Sequence, residues 1–335
     1  MKQLKEEKLL SVENLQTHFY LEDGILKAID GISFEVHKGE TLALVGESGC
    51  GKSLTAASIM RLVPVPGKIV GGTIMFDGEN LLAKTQKQMR AIRGSRITMI
   101  FQEPMTALNP VFTVGWQIVE TLKYHQKHLN RSQAKARAIE LLDLLRIPLP
   151  EQRFHEYPHQ LSGGMRQQVV IAMALACNPD LLICDEPTTA LDVTVQAQIL
   201  DLLVELRSKL GMSIIMITHN LGVVAEIADK VCIMYAGQVV EQNITQVVFS
   251  QPMHPYAEAL LNSVPQISDE NEDQELYQIR GMVPNLMKIH AGCLFAPRCD
   301  YAKLYCFEKP SELHDVGNGK VRCHRYDPEV NFNEL

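Results

Sequence analysis

The segment Gly46–Ser53, GESGCGKS, fits the pattern G-x-x-x-x-G-K-[ST] and constrains the chain more than any other feature. It directly follows the apolar run Leu42–Val45 and precedes a helical pattern over Lys52–Leu62, the strand–loop–helix context this pattern requires. Glycines let backbone N–H groups turn inward around a polyphosphate, and the helix start adds its positive end. The expected nucleotide contacts are therefore Gly46, Glu47, Ser48, Gly49, Cys50, Gly51, Lys52, Ser53 and Leu54. Lys52 is expected to reach the β and γ phosphates, and Ser53 to ligate Mg²⁺ through its hydroxyl.

Around this loop the chain alternates strand-like and helix-like segments. Gly31–Val36, Glu40–Val45, Ile97–Phe101, Leu181–Cys184, Ile214–Thr218 and Val231–Tyr235 are short runs that suit strands, the purely apolar ones buried on both faces of a sheet. Between them, Arg131–Leu145, Gly164–Cys177, Val195–Leu210 and Leu221–Ile227 read as helices. The pattern predicts an α/β layered domain, and the early strands from Leu10–Phe19 onward predict an additional antiparallel sheet near the start. After Ser263 the texture changes: Val264–Gln278 is acidic and polar and reads as a linker.

The 335 residues suffice for one large domain plus an appendage, and 46 % hydrophobic residues can bury a sizeable core. A net charge of −7 argues against a protein built to grip nucleic acid. No apolar run is long enough to cross a bilayer, and the charged start MKQLKEEKLL lacks the apolar centre of a signal peptide. The expectation is a cytosolic chain that, if it serves a membrane, docks onto helices of other subunits.

Two further motifs carry chemistry. In Leu181–Glu186, LLICDE, an apolar strand ends in two carboxylates. Asp185 is placed to hold Mg²⁺, and Glu186 to orient and deprotonate an attacking water. Upstream, Leu161–Gln167 reads LSGGMRQ, so Ser162, Gly163 and Gly164 form a second helix start suited to an anion. Two phosphate-binding helix starts in one chain make sense if each site is assembled from two subunits, the second motif acting in trans.

With these motifs in order, the sequence resembles the ABC ATPase family over roughly residues 8–250; LSGG is that family's signature. The resemblance implies an ABC-type fold with an N-terminal antiparallel β subdomain and a helical signature subdomain. It assigns Gln102, in MIFQEP, to the loop that contacts Mg²⁺, senses the nucleotide and couples to membrane subunits. Ala190–Asp192 matches the loop at the dimer interface, and His219, in MITHN, the histidine that contacts the γ phosphate. Phe19 falls where the family stacks an aromatic on adenine, with Tyr20 as the alternative. Gln168 and Asn220 stand where many relatives carry Arg and Asp, and neither is a group expected to touch phosphate or Mg²⁺.

Met99–Gly115 and Gln251–Pro265, the latter with its His-Pro-Tyr segment, resemble the peptide-importer branch, as does the Cys-rich end. This implies an ATPase domain over 8–262, a C-terminal extension over 263–335, and ATP-driven import of di- and oligopeptides. Nickel or metallophore import is the alternative within the branch, and a soluble ABC ATPase the alternative outside it. The implied partners are a homologous second ATPase subunit (or a second copy), two permease subunits and an extracytoplasmic binding protein, with the chain peripheral on the cytoplasmic face of the membrane.

Four of the eight cysteines, Cys293, Cys299, Cys306 and Cys323, crowd the last part of the chain at the spacing C-x5-C-x6-C-x16-C. In a cytosolic protein this reads as metal binding before disulfides. It lacks the C-x2-C pair of a zinc ribbon. Four thiolates match what a [4Fe–4S] cluster needs, and some members of the branch carry one. Zinc, or four unligated thiols, are the other readings.

Overall fold

The computed structural model describes residues 7–102, 107–189, 191–264, 277–287, 291–332 and 334. The chain forms two units, one of Met1–Leu9, Val36–Thr41 and Asp77–Ile217, the other of Leu10–Glu35, Leu42–Phe76 and Thr218–Leu335.

In the first unit the short apolar runs become parallel strands. Ile97–Ile100 pairs with Leu181–Asp185 (Ile97↔Leu181), which pairs with Ser213–Ile217 (Leu181↔Ser213). Every residue of the last two strands is buried, as their unalternating hydrophobicity requires. Helix Arg131–Leu144 starts at a capping box, in which Asn130 and Gln133 satisfy each other's backbone N–H groups at 2.9 Å. Helix Val193–Leu210 starts on Asp192 and stops at Gly211, whose φ of 68° ends the turn.

Helix Val114–His125 was not among the helices expected from periodicity. Its cap is Thr113, whose hydroxyl accepts the Trp116 N–H at 3.3 Å. It packs on Arg131–Leu144, and both pack on helix Gly163–Leu175. These three helices pack together in the unit that carries the LSGG segment.

In the second unit the expected antiparallel sheet is present. Strand Lys8–Leu21 pairs with Gly67–Phe76 from Leu10↔Phe76 to Phe19↔Gly67, with irregular register between Glu13 and Thr17, beside Asn14 at φ 47°. Strand Gly24–His37 lies on its other side. A second group of strands begins with Leu42–Val45, parallel to Lys230–Tyr235 (Leu42↔Lys230, Val45↔Ile233). A tight turn at Ala236–Gly237, both at positive φ, leads into the antiparallel strand Gln238–Ile244. Gly319–Val321 and His314–Val316 extend that edge.

The C-terminal segment therefore joins this unit's core. Tyr235, Tyr256 of the His-Pro-Tyr segment and Phe295 meet with ring centroids 4.7, 5.2 and 5.3 Å apart. The segment entering helix Pro255–Asn262 is fixed by Glu241, which is fully buried and accepts the N–H groups of Met253 (3.0 Å) and His254 (2.6 Å). His254 in turn accepts the Tyr256 N–H at 3.0 Å through Nδ1, and burial lowers its pKa to about 3, so its ring is neutral. The expected linker falls largely on residues 265–276, outside the described residues.

Glu241→Ala removes the acceptor of two buried N–H groups. The expected cost is about 2–4 kcal/mol, seen as a lowered midpoint in urea unfolding, and an unchanged midpoint would show that these amides find other partners.

Candidate nucleotide site

Between strand Thr41–Val45 and helix Lys52–Ile59 the phosphate loop needs conformations that L side chains resist. Gly46, Gly49 and Gly51 have φ of 153°, 81° and 103°. A Cβ on Gly46 would lie 2.1 Å from the Met234 carbonyl oxygen, and one on Gly51 2.9 Å from the Ala28 carbonyl oxygen. The loop is held from the side by Gly237, whose N–H donates to the Cys50 carbonyl at 3.0 Å. Thr55 steadies the helix start by donating from Oγ1 to the Gly51 carbonyl at 2.9 Å.

Lys52 is buried and donates from Nζ to the carbonyls of Gly46 (2.7 Å) and Glu47 (3.1 Å). Ser53, next in the helix, is exposed. Burial pushes the neighbouring Cys50 thiol up, so it remains protonated. His219 is exposed at the start of the segment entering helix Leu221–Ile227. Asn220 caps that helix, its Oδ1 accepting the N–H of Gly222 at 2.9 Å and of Val223 at 3.3 Å. Phe19 is half-buried, and the Gly67 opposite it leaves room for its ring: a Cβ there would lie 2.8 Å from Phe19 Cε1. Tyr20 is exposed, with Lys68 Nζ 5.5 Å from its ring centre.

The carboxylates belong to the other unit. Asp185 is buried at the end of its strand, and Glu186 follows at φ 47°. Gln102 donates from Nε2 to Glu186 Oε2 at 3.0 Å, and Thr189 donates from Oγ1 to the same oxygen at 3.0 Å. The structure thus brings Gln102 and Glu186 together across eighty-four positions of sequence.

In the same unit Ser162 caps helix Gly163–Leu175, its Oγ accepting the Met165 N–H at 3.3 Å. Gly164 lies against Val195, where a Cβ would meet Cγ1 at 2.8 Å. Asp192, Val195's capping partner at 3.0 Å, belongs to the expected interface loop, and Ala190 of that loop lies outside the described residues. Gln167 is fully buried and donates from Nε2 to the Pro187 carbonyl at 2.6 Å, tying the LSGG helix to the segment after Glu186. Sequence reasoning passed over Gln167, since nothing local marks a buried glutamine.

The ABC transporter family model matches residues 29–189, and the model of the oligopeptide/dipeptide transporter C-terminal region matches residues 240–306. The chain belongs to the ABC transporter family. It is similar to the oligopeptide transport ATP-binding protein AppD of Bacillus subtilis, 50 % identical over 96 % of this chain and 98 % of that protein. It is likewise similar to the dipeptide transport ATP-binding protein DppD of Haemophilus influenzae, 48 % identical over 94 % of this chain and 95 % of that protein. Among solved structures, the dimeric post-hydrolysis state of the ATP-binding cassette MJ0796 bound to ADP and Pi is similar. It has a TM-score of 0.63 and 26 % identity, covering 70 % of this chain and 98 % of that one. This ABC protein has the mixed α/β fold and the antiparallel β subdomain expected from its sequence. Among the described residues no helix is long and apolar enough to cross a membrane.

The four C-terminal cysteines of this ABC protein line one small cavity, together with His254, Phe295 and Phe332. None is in a disulfide. Among the described residues no three Cys, His, Asp or Glu side chains converge closely enough to hold a single metal ion. Burial raises the thiols: Cys293 upward, Cys299 to about 12 and Cys323 to about 11. The C-terminal segment is thus seen as thiols around a cavity, and the expected cluster is not shown by this arrangement.

Asn220→Asp keeps the cap and adds a negative charge at a helix N-terminus, so thermal stability should hold or rise slightly. Asn220→Ala should cost about 1 kcal/mol. Equal stability of the three proteins in a melting experiment would deny the cap its role.

Proposed function

We propose that this ABC protein hydrolyses ATP to drive import of di- and oligopeptides. The observation that carries the reading is the glycine-cornered phosphate loop with Lys52 on its floor, in a chain that matches peptide-transport ATP-binding proteins over nearly its whole length. Lys52 leaves the carbonyls of Gly46 and Glu47 for the β and γ phosphates, while Ser48–Ser53 offer their backbone N–H groups to the same oxygens. Phe19 or Tyr20 stacks on the base. Ser53, Asp185 and Gln102 supply hydroxyl, carboxylate and amide oxygens, a donor set suited to a hard cation such as Mg²⁺. That ion, when bound, neutralises charge developing on the phosphates.

Glu186 takes a proton from the attacking water, and His219 steadies the γ phosphate. Ser162, Gly163 and Gly164 meet the nucleotide of a second ATPase subunit, a homologous chain or another copy. Gln102 links the nucleotide to two permease subunits, an extracytoplasmic binding protein delivers the peptide, and the chain sits peripherally on the cytoplasmic face of the membrane. The ATPase region over 8–262 supplies the energy, and the extension over 263–335 carries the four cysteines.

Two substitutions test the chemistry in the purified transporter. Lys52→Ala should nearly abolish hydrolysis, because the phosphates lose their point charge. Glu186→Gln should stop hydrolysis while keeping ATP bound, because an amide cannot accept the proton. Normal turnover in the first would remove the loop from the mechanism, and in the second would move the general base elsewhere.

For the cysteine cavity, the finer reading is a [4Fe–4S] cluster on Cys293, Cys299, Cys306 and Cys323. A lone zinc ion holds its sulfurs at about 2.3 Å, whereas a four-iron cluster spreads four thiolates around a larger body. The four thiols line one cavity, as the ligands of a single cluster would. The cluster would cross-link a segment with little core of its own. Anaerobic purification should yield iron and sulfide, both lost in Cys306→Ser; zinc without iron would reverse the assignment.

A further inference from the structure

The phosphate loop is gripped by the C-terminal segment at one residue, Glu47. Its carboxylate accepts two hydrogen bonds from the Arg298 guanidinium, at 2.6 Å from Nη1 and 2.9 Å from Nη2, in a fork-to-fork pair across 251 positions of sequence. The Arg298 side chain is 5 % exposed and that of Glu47 27 % exposed. The Glu47 backbone N–H does not face the phosphate nest either: it donates to the Tyr256 hydroxyl at 2.9 Å. Arg298 is itself fixed from behind, donating from Nε to the Arg280 carbonyl at 2.8 Å and lying 5.7 Å from the Tyr235 ring centre. It ends the short 3₁₀ turn Ala296–Arg298, and the next residue is Cys299 on the cysteine cavity.

We propose that Arg298 is a positioning residue for ATP, acting through Glu47, and that the C-terminal segment is thereby part of the nucleotide site. Every polar attachment the structure gives Glu47's N–H and carboxylate runs to this segment or to the helix before it. Glu47 is an anchor of the loop and not a phosphate ligand. Its carbonyl, which accepts from Lys52 at 3.1 Å, is where the anchor meets the phosphate-binding lysine. A bidentate pair with a buried guanidinium defines one geometry for the loop: removing the Glu47 carboxylate leaves the Arg298 charge desolvated, and removing Arg298 frees the loop from its anchor. The loop then samples conformations in which its N–H groups do not converge, and ATP must select the competent one, which weakens its apparent affinity.

This inference rests on the phosphate loop binding ATP, and the test separates the two. In the assembled transporter, wild type should bind MgATP and Lys52→Ala should not; failure of wild type to bind would overturn the nucleotide reading itself. Given wild-type binding, Arg298→Ala should raise the KM for ATP by about tenfold or more, with kcat at saturating ATP changed much less. Arg298→Lys, which keeps the charge but loses the fork, should recover part of the affinity. Should Arg298→Ala not fold, the cycle Glu47→Gln, Arg298→Gln and the double variant carries the test. Each single change weakens ATP binding, and the double variant is no weaker than the worse single one. An unchanged KM in Arg298→Ala, or strictly additive losses in the cycle, would overturn the proposal.

Discussion

The approach of Gly46 to the Met234 carbonyl is the contact on which the rest of the second unit's site depends. No side chain fits between them, because a Cβ at Gly46 would stand 2.1 Å from that oxygen. The approach follows from sheet register: Leu42–Val45 runs parallel to Lys230–Tyr235 with Val45 opposite Ile233, so the loop leaves its strand directly beside Met234. The turn after that strand then brings Gly237 to the Cys50 carbonyl. A loop that must aim several N–H groups at one point cannot be left to its own conformational entropy. Here a neighbouring strand holds its exit, and Arg298 and Tyr256 hold its first turn.

That arrangement changes how the His-Pro-Tyr segment is understood. Glu241 is buried with two amide donors, an expensive placement that makes sense only if the segment it fixes must be fixed. What it fixes is Tyr256, whose ring packs on Tyr235 and Phe295 and whose hydroxyl reaches the phosphate loop. A carboxylate on one strand thus sets a tyrosine, and the tyrosine sets a loop.

The phosphate loop, the carboxylate pair and the LSGG helix start were legible because each is local: glycine spacing, a strand ending in acids, a serine before a helix. The buried strands were legible because their hydrophobicity does not alternate. Helix Val114–His125 was not, since Thr113 is its sole cap signal and Gln117 sits on its buried side, there donating to the Asn109 and Phe112 carbonyls. Arg298 was invisible for a different reason. Its partner is a residue that the loop pattern leaves unspecified, and pairing over such a distance has no periodicity to betray it. The cysteines were legible as a group, but whether four thiols converge on a point or merely share a cavity is a question of geometry that spacing does not answer.

In the first unit, the hydrogen bond between Gln102 and Glu186 fixes which way the amide is turned. A carboxylate oxygen only accepts, so the end of Gln102 that faces Glu186 must be its amide nitrogen. The carbonyl oxygen is then the end directed elsewhere, and oxygen is what a hard cation such as Mg²⁺ takes. The amide thus holds the carboxylate through its nitrogen and keeps its oxygen out of that bond, with no change of protonation. Two donors, Gln102 and Thr189, meet at Glu186 Oε2 and hold the carboxylate in one orientation at the end of its strand.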